Sequence, residues 1–132
     1  MIYIKAVAKG EPDAAPLAKF FQYIDSTDEL ILKHSIEMVK DKMDRNLKLN
    51  VNEAFLLYAY FVATQVRAKK KAAEIEKDAN SLLSSDQVMI GVPETLRTIT
   101  FDAIVDGKRE WITLQEPMSV SSYVMANNSS GS

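Results

Sequence analysis

A single histidine, His34, and the absence of any cysteine restrict what these residues can do chemically. Nucleophile–base pairs and transition-metal clusters cannot be assembled from one imidazole and no thiol. As a metal ligand His34 would need carboxylates for company, and its place in a helix-forming run reads as that of an ordinary helical histidine. Carboxylates do come in pairs, Asp41 with Asp44 and Glu74 with Asp78. They stand at helical spacing among lysines, the pattern of a solvated, salt-bridged face rather than of a general acid and base. No Walker loop, GxGxxG, GxSxG or HExxH motif occurs. The residues therefore assign this chain no catalytic, cofactor-binding or metal-ligating position, and its expected work is contact with a partner.

At 132 residues the chain is long enough for one domain and one modest core. A formal charge of −2 argues against nucleic acid as a partner, since phosphate binding calls for a basic excess. The lysine run Arg67–Lys71 reads as a solvated helix end favoured by the dipole, not a phosphate patch. No apolar run approaches the roughly 20 residues of a membrane helix, and the opening MIYIKAVAKG is too short for a signal peptide. With no disulfide possible, the expected location is cytoplasmic.

The elements that must present a contact surface are clearest between Gln87 and Pro117. Two alternating apolar runs flank Asp106-Gly107, the preferred pair for a type I′ hairpin turn, in which both residues take positive φ. Pairing Val105 with Lys108 sets Phe101 opposite Ile112, Ile99 opposite Leu114 and Thr100 opposite Thr113. The apolar residues then share one side, while Thr98, Thr100, Asp102, Arg109, Trp111 and Thr113 line the other. Because a lone hairpin is barely stable, its apolar side must lie on helices or on another chain.

Upstream, Ser26 to Glu29 is a capping box that starts a helix with an apolar stripe of Leu32, Ile36, Val39, Met43 and Leu47. Asn50 and Glu53 form a second box before the nearly all-apolar run from Ala54 to Ala63. A helix apolar all round needs cover on several sides, so part of it is expected at a subunit contact, with Phe55, Tyr58 and Phe61, together with Trp111 on the hairpin, as interface candidates. A helical stretch follows the lysines, with a break near Lys69 to Lys71 left open. A third box, Ser84 to Gln87, predicts a short helix ending near Gly91, with Pro93 leading into the hairpin. Residues 2–7 alternate like a strand, and Phe20 to Ile24 reads either as a turn of helix or as an arm docking on a neighbour. Residues 1–25 form an expected N-terminal extension, 26–117 the domain, and 118–132 a polar, uncharged tail expected to be disordered or partner-dependent. The fold class is α+β, a bundle of about four helices with a C-terminal two-stranded hairpin.

The runs Leu47-Lys48-Leu49-Asn50, Glu53-Ala54, Gln87-Val88-Met89 and Gly91-Val92-Pro93-Glu94, followed by a hairpin tipped by Asp106-Gly107 and closed by Pro117, resemble the urease gamma subunit over roughly residues 28–118. The resemblance implies a small non-catalytic subunit of an enzyme that hydrolyses urea to ammonia and carbamate. In that family two nickel ions bridged by a carbamylated lysine belong to the alpha subunit. The implied partners are urease alpha and beta subunits and copies of this chain around a threefold axis. Three features depart from the family pattern: no glycine near Lys69 to Lys71, no proline before Asp106, and the extra residues at both ends. The competing expectation is a free-standing helical adaptor unrelated to urea.

Overall fold

The computed structural model describes residues 2–10, 17–23 and 26–118. Its elements in order are β1 (Ile2–Lys9), β2 (Leu17–Tyr23), α1 (Ser26–Asp44), α2 (Val51–Arg67), α3 (Ala72–Ala79), a 3-10 turn (Ser85–Gln87), α4 (Val92–Thr95), β3 (Thr98–Val105) and β4 (Lys108–Gln115). The expected α+β class and helix number hold. The hairpin, however, is one half of a four-stranded antiparallel sheet in the order β2-β1-β3-β4. Residues 17–23 form a strand paired with β1 instead of a helical turn, because β1 offers them an edge to pair with. Ile24 and the tail from residue 119 lie outside the described residues.

The hairpin takes the expected register, with Val105 opposite Lys108 and Phe101 opposite Ile112. Asp106 and Gly107 have φ of 50° and 83°, as a type I′ turn requires. Strand alternation then decides the faces. Ile4, Ala6 and Ala8 of β1, Ile99, Phe101 and Ala103 of β3, and Ile112 and Leu114 of β4 are all buried. Covering a side chain as large as Phe101 contributes about 1.5–3 kcal/mol. Helix α2 lies across β1 and β3, so the sheet and this helix form the two layers of the core. Alanines on both layers, Ala6 and Ala8 below and Ala54, Ala59 and Ala63 above, are buried and let the backbones approach closely. Helix α3 closes the far side of the sheet along β4, where the Thr113 amide donates to Glu76 Oε1 at 3.0 Å.

Helix ends follow their local chemistry. Asn50 caps α2 by accepting from the Glu53 amide at 2.9 Å, while Glu53 Oε1 accepts from the Asn50 amide at 2.9 Å. Helix α1 stops at Asp44 because Asn46 takes φ 58°, with the Leu47 amide donating to the Lys42 carbonyl and the Asn46 amide to that of Met43. That pair of bonds is a Schellman motif. It removes Leu47 from the α1 stripe, whose buried members are Ile36 and Val39.

The break between α2 and α3 has the same geometry: Lys70 donates to the Gln65 carbonyl and Lys69 to that of Val66, with Lys69 at φ 61°. A lysine here carries the strain that glycine avoids. Lys69→Gly is expected to raise stability by about 1 kcal/mol, read as a higher urea midpoint. An unchanged midpoint would mean that no strain is stored at this turn.

The third capping box does form, with Ser84 against Gln87, but it supports only a 3-10 turn. Val88 is extended at φ −124°, drawn into a parallel bridge with Leu49, so the helix predicted to run to Gly91 ends at Gln87. Gly91 instead caps the start of α4, and Pro93 occupies that helix's first turn. Among the described residues no helix is long and apolar enough to cross a membrane.

Candidate interaction surface

The runs that carry the family resemblance meet in space. The Leu49 amide donates to the Gln87 carbonyl at 3.1 Å, and the Met89 amide donates to the Leu49 carbonyl at 2.9 Å. Lys48 Nζ adds a 3.3 Å bond to the Asp86 carbonyl. Beneath this bridge Leu49, Ala54, Val88 and Val92 are buried. These residues act as a staple between the start of α2 and the approach to α4, so their spacing answers a need of the fold.

The same staple holds apolar side chains out in water. Ile90 is fully exposed, and Leu47 and Met89 are 43% and 45% exposed. Ile90 is held between the bridged Val88 and the left-handed Gly91, so its backbone is fixed on both sides. On α1, Leu30, Ile31 and Met38 are each more than 60% exposed, opposite the buried Ile36 and Val39. Sequence reasoning places Leu30, Ile31, Met38 and Ile90 at no contact surface. The signal available was a second apolar set on α1, out of phase with the stripe.

The structure separates the four candidates named from sequence. Phe55 and Tyr58 have no exposed surface and fill the core beneath α2, whose cover comes from this chain's own sheet. They have no atom to offer a neighbour, which corrects that expectation. The Tyr58 hydroxyl has no hydrogen-bond partner, and burial pushes its pKa far above the ordinary phenol value. Phe61 is half-buried against the core edge. Trp111 is 58% exposed on the open sheet face, with the Arg109 guanidinium 5.7 Å from its ring centroid. Arg109 Nε also meets Asp102 Oδ1 at 3.1 Å, so indole, guanidinium and carboxylate form one ordered group.

Among the described residues the polar side chains do not converge on a reactive centre. His34 is exposed, with Nδ1 3.9 Å from Glu37 Oε2. Asp41 pairs with Arg45 at 3.5 Å and Glu74 with Lys70 at 3.4 Å, both one helical turn apart and open to solvent. Such pairs contribute about 0–1 kcal/mol each. The half-buried pair is Lys42 with Glu53, at 2.8 Å. Burial alone would raise the Glu53 carboxyl, but the Asn50 amide and the Lys42 ammonium outweigh it and hold the pKa below its ordinary value. Among the described residues no three His, Cys, Asp or Glu side chains are grouped to hold a metal ion.

Comparison with known proteins gives the surface a context. Residues 23–118 match the family model described as urease, gamma subunit. Over 91 residues the chain is 36% identical to the urease subunit gamma of Halalkalibacterium halodurans, covering 69% of this chain and 91% of that one. A Synechococcus urease subunit gamma is 30% identical with the same coverage. A Helicobacter acinonychis chain named urease subunit alpha is 33% identical over 92 residues, which span 39% of its length.

Proposed function

The chain belongs to the urease gamma subunit family, and from that premise we propose that it is a non-catalytic structural subunit of a cytoplasmic urease. Its task is to cover and hold the surface of the chain that carries the nickel pair, and it contributes no ligand to that pair. The donor set here does not fit two metal ions, since the only imidazole is solvent-exposed and no thiol exists. Urea hydrolysis, beta-subunit contact and packing with copies of itself around a threefold axis belong to the assembled enzyme.

The observation that carries this reading is the rigid presentation of Ile90, with Leu47 and Met89 beside it on segments tied by the Leu49–Val88 bridge. Exposed apolar side chains on a fixed backbone lose little entropy on binding and gain by leaving water. Trp111 and Phe61 are the further contact positions, Trp111 because Arg109 already holds its ring in place.

The test is affinity purification of the tagged chain from its native host, with nickel analysis and urea hydrolysis measured on the co-purifying fraction. A nickel-bearing partner with activity is expected. Ile90→Asp and Trp111→Glu should each cut partner recovery about tenfold or more while leaving the far-UV spectrum of the free chain unchanged. A chain that purifies alone, or with a metal-free partner, would sink the proposal in favour of an independent adaptor.

A further inference from the structure

We propose that the edge of β3 is a strand-binding cleft and that β1 is its resident ligand, an added strand that this chain supplies to its own family core. The family match starts at residue 23, the last residue of β2, and so leaves out all of β1 and nearly all of β2. The Halalkalibacterium relative is 91% covered by the matched region, which leaves it no room for such a strand pair before the match. Yet β1 pairs with β3 along its whole length, from Ile2 opposite Val105 to Lys9 opposite Thr98. Without β1, the outward N–H and C=O groups of β3 would stand unpaired at an edge.

The cleft has a readable specificity. On the core side β1 presents Ile4, Ala6 and Ala8, at 0%, 0% and 1% exposure, and Gly10 continues the same alternation. A Cβ on Gly10 would lie 2.5 Å from the Glu94 carbonyl oxygen and 2.9 Å from Thr95 Cα. The slot between β3 and the helices thus narrows along the strand and accepts a large apolar residue, two small ones and then none. Lys5 and Lys9 point outward into solvent. The ligand class is an extended peptide with that graded pattern running antiparallel to β3, and β1 of a second copy satisfies it as well as the chain's own.

The inference does not depend on urease activity, and it is tested on the full chain. A site for a sequence-specific protease is placed within residues 11–16, and the folded protein is cut there. The β1 peptide should stay with the body through gel filtration, and a fluorescent peptide of residues 1–10 should exchange into its place. The same peptide carrying Gly10→Ala should bind at least about tenfold more weakly, and one carrying Ala6→Asp should fail to bind. Loss of helical signal on cutting, release of β1 with no uptake of the labelled peptide, or equal uptake of the Ala6→Asp peptide would each overturn the proposal.

Discussion

Gly10→Ala in the intact chain is expected to cost about 1–3 kcal/mol of stability, measured as a fall in the urea midpoint with an unchanged slope. The argument is close approach and not backbone freedom. The three nearest atoms that a new methyl would meet all belong to the backbone, namely the Glu94 carbonyl oxygen at 2.5 Å and Thr95 Cα and its carbonyl oxygen at 2.9 Å. A flexible side chain could swing away, but the backbone of α4, held in its single turn by bonds to the Gly91 and Val92 carbonyls, cannot. Relief must come from sliding β1 along β3 or from tilting α4, and either movement disturbs the buried layer of Ala8, Val92 and Leu96. A midpoint within error of the parent would show that the end of β1 does not lie against α4.

Glu53→Ala removes three interactions at once: the reciprocal bond to the Asn50 amide, the favourable charge in the first turn of α2 and the 2.8 Å pair with Lys42. Loss of a cap costs about 1 kcal/mol, and stranding the half-buried Lys42 adds to it, so a total of about 1–3 kcal/mol is expected. The pH dependence follows in sign. The folded Glu53 pKa lies below its ordinary value of 4.5, so its contribution is complete above that value and is lost as pH falls through the folded pKa. Urea midpoints of the parent should therefore fall more steeply than those of Glu53→Gln as pH drops below the ordinary carboxylate value. Parallel pH profiles for the two proteins would remove Glu53 from the account.

The features legible from sequence are those whose causes are local. Asp106-Gly107 and the alternation around it specify a turn and a register within a few residues, and the structure has that register. Asn50 and Glu53 lie three apart and satisfy each other, so no distant element is needed to predict the cap. What could not be read depends on pairing across the chain. That β1 would sit beside β3, about 100 residues away, is nowhere encoded in the alternation of either strand. Phe55 and Tyr58 were misplaced for the same reason. An all-apolar helix looks identical whether its cover comes from another subunit or from its own sheet, and here β1 and β3 supply it. The exposed apolar surface is not legible in sequence, because Ile90 becomes conspicuous only once the bridge at Val88 fixes its backbone.

The two margins of the sheet are treated differently. Along β4 a helix and the Glu76 carboxylate occupy the Thr113 amide that another strand would seek, while β2 forms the opposite margin and pairs on one side with β1. Among the described residues, then, β4 is guarded at Thr113 and β2 offers the more open margin to a further strand. A further strand thus finds its readier template at one margin, whereas the stacked sheets of fibres grow from both.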